Sequence, residues 1–308
     1  MRNQIRINSK LNSFKKKIEV NSDKSLSIRC VLLASQAVGV SKIYNLLDSE
    51  DVNFSLRAIK KLGINFKKEN NYTKIYGCGL KGFNLDKKII INAGNSGTLG
   101  RLILGMLISS KDKIKIIGDK SLSKRDFKRV TKPLEMFGAN IKSNKGQLPV
   151  EIIGSKFLRP IKYYEKRGSA QCKSSVMLGA LNTPGVTTIK AEKSRNHSEI
   201  LFKNLKIPIK VKKGLRYDFI KIKGLTEFNG FNYKIPGDIS SSSFFIVLTL
   251  LAKNSELLIK DVNINPTRVG IIKILNLMNC KIKFKNKRSY KGELTADIFV
   301  KSSNNLKG

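Results

Sequence analysis

An α/β fold built from one repeated unit is what this sequence predicts, and three observations predict it. Four apolar, helix-like stretches begin at Ser27, Gly100, Lys173 and Ser242, at spacings of 73, 73 and 69 residues. Each is followed by a β-branched, strand-like run, at 40–44, 113–117, 186–189 and 256–259. The chain has 308 residues, 41% of them hydrophobic, which excludes a disordered chain and allows roughly two domains of about 150 residues each. A near-constant period means one supersecondary unit used repeatedly.

The elements follow in order. Met1 to Lys17 reads as a strand-like leader without the apolar h-region of a secretory signal. The first unit opens on Asp23-Lys24-Ser25 and runs into an apolar helix. After its strand, Phe54, Leu56, Ile59 and Leu62 recur at helical spacing, and Gly63 ends that helix. The second unit opens on Gly94-Asn95-Ser96-Gly97-Thr98 and its later helix ends at Gly138. The third opens on Ser169-Ala170-Gln171, and the fourth on Gly237-Asp238 with a run of serines. In the fourth, Val269, Ile272, Leu275 and Met278 form the second helix. Each unit is therefore helix–strand–helix–strand with further strand between units, an α/β repeat in which helices cover sheets. Three units fill 21–234 as a complete three-repeat domain around a pseudo-threefold axis. The remaining 1–20 and 235–308 form a partial second domain whose later repeats are absent.

Composition narrows the function. Lys+Arg is 60 against Asp+Glu 22, a net charge of +38. Such a chain attracts polyanions non-specifically. The excess is mostly Lys spread along the chain, as at 15–17 and 281–290, with neither zinc-finger spacing nor an aromatic RNA-binding signature. It reads as compositional bias and not as specific nucleic-acid recognition; a basic nucleic-acid-binding protein is the alternative, with charge as its sole support. No apolar run approaches the ~20 residues of a membrane span. Cys30, Cys78, Cys172 and Cys280 stand far apart with no C-x-x-C pair, as reduced thiols of a cytoplasmic protein do. Haem, iron–sulfur and structural zinc are thereby disfavoured, and no metal is expected. With 7% aromatic residues and no Trp, the core must be mostly Ile, Leu and Val.

The polar clusters at the unit starts are the candidate site. Lys24 and Ser25 fall at a helix N-terminus, where free backbone N–H groups favour an anion, and Arg29 lies one turn on from Ser25. The plainer reading is a Ser cap flanked by solvated cations. The turn at 94–98 lets backbone approach a phosphate or carboxylate, with Lys124-Arg125 as charged donors. It is neither a Walker loop nor a dinucleotide fingerprint, and a tight turn with a cap would look the same. Ser169 and Gln171 could hydrogen-bond a polyhydroxylated ligand. His197, the one histidine, fits no Ser/His/Asp arrangement and reads as structural. The Asp and Ser run at 238–243 reads as an N-cap. Together these starts suit a cleft for ligands with several negative charges.

The stretches DKSLSIRCVLLASQAVG, NLLDSEDVNFSLRAIKKLG, GNSGTLGRLILGML, GDKSLSKRDFKRVTKPLEMFGANI, SAQCKSSVMLGAL, SRNHSE, PGDISSSSFF and NPTRVGIIKIL run in order from about residue 22 to 280. By them the sequence resembles the enolpyruvyl transferases, and among these the EPSP synthase (3-phosphoshikimate 1-carboxyvinyltransferase) family. SAQ and SRNH are closer to its glyphosate-tolerant class II type. The related UDP-N-acetylglucosamine enolpyruvyl transferases share fold and donor, but their Cys-bearing loop is not visible here. The resemblance implies an inside-out α/β barrel of βαβαββ units. It implies transfer of the enolpyruvyl group of phosphoenolpyruvate to the 5-hydroxyl of shikimate 3-phosphate, on the route to chorismate and the aromatic amino acids. It implies no cofactor and a cytoplasmic monomer. Carried over to this chain, Lys24 would contact both substrates and act in catalysis. Ser25, Arg29, Ser169, Ala170, Gln171 and Arg195 would bind shikimate 3-phosphate, with Arg29 on its carboxylate. Gly97 and Arg125, with Lys24 and Gln171, would bind phosphoenolpyruvate. Two departures stand out. Asp126 follows Arg125 where the family usually has Pro. The chain ends at VKSSNNLKG, where the family continues into segments carrying further proton-transfer and donor-binding groups, so low activity is expected of this chain alone unless a separate chain completes it.

Overall fold

The computed structural model describes residues 12–80, 82–83, 89–303 and 306. The first eleven residues of the predicted leader lie outside the described residues. The chain divides into two compact units, one spanning Ser22–Ile235 and the other combining the segment up to Asn21 with that from Pro236 onward.

In chain order, β1 (Lys15–Glu19) precedes α1 (Lys24–Gln36), β2 (Val38–Tyr44), α2 (Glu50–Lys61), β3 (Phe66–Lys68) and β4 (Tyr72–Cys78). Next come β5 (Ile89–Asn92), α3 (Gly97–Met106), β6 (Ile114–Ile117), α4 (Lys120–Ser123), α5 (Lys128–Met136), β7 (Asn140–Asn144) and β8 (Gln147–Ile153). The third repeat is β9 (Lys162–Glu165), α6 (Ala170–Leu181), β10 (Val186–Glu192), α7 (His197–Asn204), β11 (Ile209–Lys213) and β12 (Tyr217–Lys223). Then follow β13 (Asn232–Lys234), α8 (Ile239–Leu251), β14 (Glu256–Asn263), α9 (Gly270–Leu277), β15 (Ile282–Tyr290) and β16 (Glu293–Lys301).

These strands form four sheets of one design: β13-β2-β4-β3, β5-β6-β8-β7, β9-β10-β12-β11 and β1-β14-β16-β15. The first pair in each is parallel, the others antiparallel. Each sheet is thus a βαβαββ unit. In the first, the opening strand is supplied by β13, with Tyr233 opposite Ile43, so the end of the Ser22–Ile235 unit pairs with its beginning.

The layering reverses the reading of the repeat, in which helices cover sheets, and agrees with the inside-out barrel that the resemblance implies. Every residue of α1 from Leu26 to Gln36 is buried, as is α6 from Cys172 to Leu181 and all of α3 except Thr98. A helix buried all round has no solvent face and belongs inside. The strands instead alternate, as in β8, where Leu148, Val150 and Ile152 are buried between exposed neighbours. Alternation of this kind marks a sheet with one face in water. In this unit the sheets cover the helices, which makes it inside-out. The shorter second helices keep one polar face: α2 buries Val52, Leu56 and Ile59, starts on Glu50 and Asp51 and ends on Lys60 and Lys61, matching its dipole. Gly63 and Gly138 follow α2 and α5 at φ of +82° and +112°, a conformation that side chains with a Cβ resist. The other unit packs Ile246, Leu257, Ile259, Val262, Ile272, Ala296, Ile298 and Val300 into its own core. Its α8 exposes Phe244 and its α9 Leu277. The excess lysines line outward strand positions, as in β11 and β15.

Candidate functional site

The first turns of the three inner helices carry most of the predicted residues, and side-chain caps fix where those turns begin. Asp23 accepts the Leu26 N–H at 2.9 Å, Ser96 that of Leu99 at 3.3 Å and Ser169 that of Cys172 at 3.3 Å. Each cap satisfies one N–H of its helix start. The Ser169 N–H itself donates to the buried Glu165 carboxylate at 2.9 Å, which holds the loop before α6.

Arg29 joins three helices. Its guanidinium is buried, donating through Nε to Ser198 Oγ at 2.9 Å on α7 and through Nη2 to Ser174 Oγ at 3.1 Å on α6. Nη1 donates to the Ser25 carbonyl at 3.0 Å, and the two serine hydroxyls share a hydrogen bond of 2.6 Å. Behind them the buried Lys173 ammonium pairs with Glu199 at 2.6 Å, binding α6 to α7. Gln171 joins α6 to α3: its Nε2 donates to Thr98 Oγ1 at 3.0 Å, and its Oε1 accepts from Arg101 Nη1 at 2.5 Å. Gly97 begins α3, and a Cβ placed on it would lie 3.0 Å from Arg101 Nη1 and 3.2 Å from Arg125 Nη1. Arg125 is exposed and donates to Asn95 Oδ1 at 3.0 Å. Burial, together with the like charges of Arg129 and Arg125, pulls the Arg101 guanidinium down to about 10.

Thus Arg29, bonded to the Ser25 carbonyl, meets Ser174 and Ser198, while Gly97, Arg125 and Gln171 meet around Arg101. Ser169 and Ala170 occupy the same end of α6 as Gln171. Lys24 points elsewhere: half its side chain is exposed and its ammonium pairs with Asp51 of α2 at 2.9 Å. Arg195 is exposed, three residues before Ser198. Asp126 sends Oδ2 to within 3.6 Å of Arg167 Nη1, and its Oδ1 accepts the Lys128 N–H at 2.7 Å ahead of α5. His197 is fully buried at the start of α7.

Sequence reasoning missed Thr98, Arg101, Ser174 and Ser198. Arg101 was within reach, since it stands four residues after Gly97 and so on the same helix face. Ser174 and Ser198 carry no such local signal, because their role arises from partners 145 and 169 residues away. The arrangement is a cationic, donor-rich surface built on helix N-termini, suited to anionic, hydroxylated small molecules. Among the described residues, no three His, Cys, Asp or Glu cluster as metal ligands, and no helix is long and apolar enough to cross a membrane.

Known proteins resemble the chain along nearly its whole length. Residues 9–302 match the family model of EPSP synthase (3-phosphoshikimate 1-carboxyvinyltransferase). A 3-phosphoshikimate 1-carboxyvinyltransferase of Ruthia magnifica subsp. Calyptogena magnifica is 41% identical over 299 residues, covering 96% of this chain and 67% of the relative. That of Endomicrobium trichonymphae is 40% identical over 291 residues, 93% of this chain and 66% of the relative. The solved EPSP synthase from Acinetobacter baumannii superposes with a TM-score of 0.86 at 35% identity, covering 96% of this chain and 66% of that one. The chain therefore spans about two thirds of the length of the relatives it matches.

Proposed function

The chain belongs to the EPSP synthase family, and from that premise we propose that its Ser22–Ile235 unit binds shikimate 3-phosphate and phosphoenolpyruvate for enolpyruvyl transfer. In that reaction the phosphoenolpyruvate methylene is protonated and the 5-hydroxyl oxygen of shikimate 3-phosphate bonds to C2. The tetrahedral intermediate then loses phosphate and a methyl proton, which restores the double bond. The observation that carries the reading is the convergence of α1, α3 and α6 at their first turns, bridged by Arg29 and by Gln171.

On this reading Arg29 and Ser25 receive the carboxylate of shikimate 3-phosphate, with Ser174 and Ser198 holding the guanidinium in place. Ser169, Ala170 and Arg195 receive the 3-phosphate. Gly97 and Arg125 receive phosphoenolpyruvate, and Gln171 lies between the two ligands. Lys24 gives up Asp51 to touch both, a cheap exchange because a half-exposed ion pair contributes little. Both substrates are anions that repel each other, and fixed donors offset that repulsion while holding hydroxyl and enol carbon in line. Cys30, Cys78, Cys172 and Cys280 form no disulfide with one another, which supports a cytoplasmic setting, and we assign the protein there as a monomer.

Calorimetric titration of the purified chain tests the proposal. Shikimate 3-phosphate should bind with a defined stoichiometry, phosphoenolpyruvate should bind more tightly in its presence, and mixing the two should release phosphate. Absence of heat from both ligands would sink the reading.

A further inference from the structure

Arg101 has too much charge for its surroundings. The residue is 3% exposed, and its Nε is buried without a hydrogen-bond partner. Its other donors reach only neutral groups: Gln171 Oε1 at 2.5 Å and the Asp126 carbonyl at 3.5 Å, with the Phe127 ring 5.2 Å away. Among the described residues no carboxylate forms an ion pair with it: Asp126 is near enough to act on its charge but is engaged by Arg167 and the Lys128 N–H, while Arg125 and Arg129 add like charge nearby. A buried cation lacking a counter-charge costs folding free energy. Its Nη1 nevertheless stands at the first residue of α3, where Arg125 Nη1 also approaches.

We propose that Arg101 is a positioning residue for the anionic donor: it fixes the Gln171 amide and holds an uncompensated charge that phosphoenolpyruvate neutralises on binding beside Gly97. This inference rests on the function proposed above. It explains why a buried guanidinium sits here without an ion-pair partner among the described residues. It also explains the direction in which Gln171 presents its Nε2, since the amide oxygen is already taken.

The test compares the full chain with R101M, R101K and, as an exposed control just before β12, R216M, using thermal melting and calorimetric titration. R101M should melt at or above the wild-type temperature without ligand. Its phosphoenolpyruvate Kd, measured with shikimate 3-phosphate saturating, should rise about tenfold or more, whereas its shikimate 3-phosphate Kd should move by less than about twofold. R101K keeps the charge but not the fork and should recover part of the lost affinity. R216M should match wild type. Unchanged donor affinity in R101M overturns the inference. So does an R101M protein that melts lower, or fails to fold, while R101K loses both ligands in parallel, because that is a purely structural role. If wild type itself binds neither ligand, the enolpyruvyl reading fails first and takes this inference with it.

Discussion

A guanidinium offers donors in a rigid plane, and Arg29 uses that plane to hold hydroxyls on two other helices as well as a carbonyl of its own. Lysine preserves the charge but not the fork. R29K should therefore weaken shikimate 3-phosphate binding by about ten- to a hundredfold, read by calorimetry, with folding largely preserved. In the other unit Asp297 sets an acid limit. Burial acts to raise its carboxyl, but hydrogen bonds from Lys260, the Asp261 N–H at 3.0 Å and Asn286 Nδ2 at 2.8 Å outweigh burial and hold it at about 2. A depressed carboxyl stabilises the fold fully above its ordinary value of 3.8, and that contribution is lost as pH falls through about 2. Urea midpoints of wild type should fall over that window, whereas D297N should start lower and show a flatter profile there.

At the scale of elements, α3 and α6 cross so closely that the fold depends on one missing side chain. A Cβ on Gly105 would lie 2.1 Å from the Ser175 carbonyl oxygen, and backbone cannot step aside as a side-chain tip can. Ser175 Oγ also donates to the Arg101 carbonyl at 2.8 Å across the same crossing. G105A should cost about 2–3 kcal/mol of stability in urea unfolding. Gly100, five residues earlier, is the contrast: its nearest neighbour is the Phe127 ring at 3.4 Å, an ordinary contact. G100A should be neutral or slightly stabilising, since Ala favours helix by up to about 1 kcal/mol over Gly. The helix starts were legible in sequence, because Asp23, Ser96, Ser169 and Asp238 are cap residue types and all four accept backbone N–H groups, although the cap of the first helix is Asp23 and not Ser25. The all-round burial of α1, α3 and α6 was less legible, because a run of apolar and small residues does not by itself say what will surround it.

Across the whole molecule, each sheet takes all its strands from a single unit. The three sheets of Ser22–Ile235 draw on that span alone, and β13 returns to close the sheet that β2 opens. A fragment of residues 22–235 should accordingly unfold in one cooperative transition and keep shikimate 3-phosphate affinity within about threefold of the full chain. Removing β13 from that fragment should leave β2 with an unpaired edge and lower the midpoint. Two transitions, or no binding, in the 22–235 fragment would contradict a self-contained unit.

The repeat, its period and the cationic, hydroxyl-rich character of the helix starts were determined by the sequence alone. All of these are properties of neighbouring residues, whose spacing and chemistry act through local backbone geometry. Tertiary structure decided the rest: that the helices lie inside, that Arg29 meets Ser174 and Ser198, and that Gln171 meets Arg101 and Thr98. Those pairings join residues 70 to 169 positions apart. They exist only once packing has closed the intervening chain, and no local pattern encodes them.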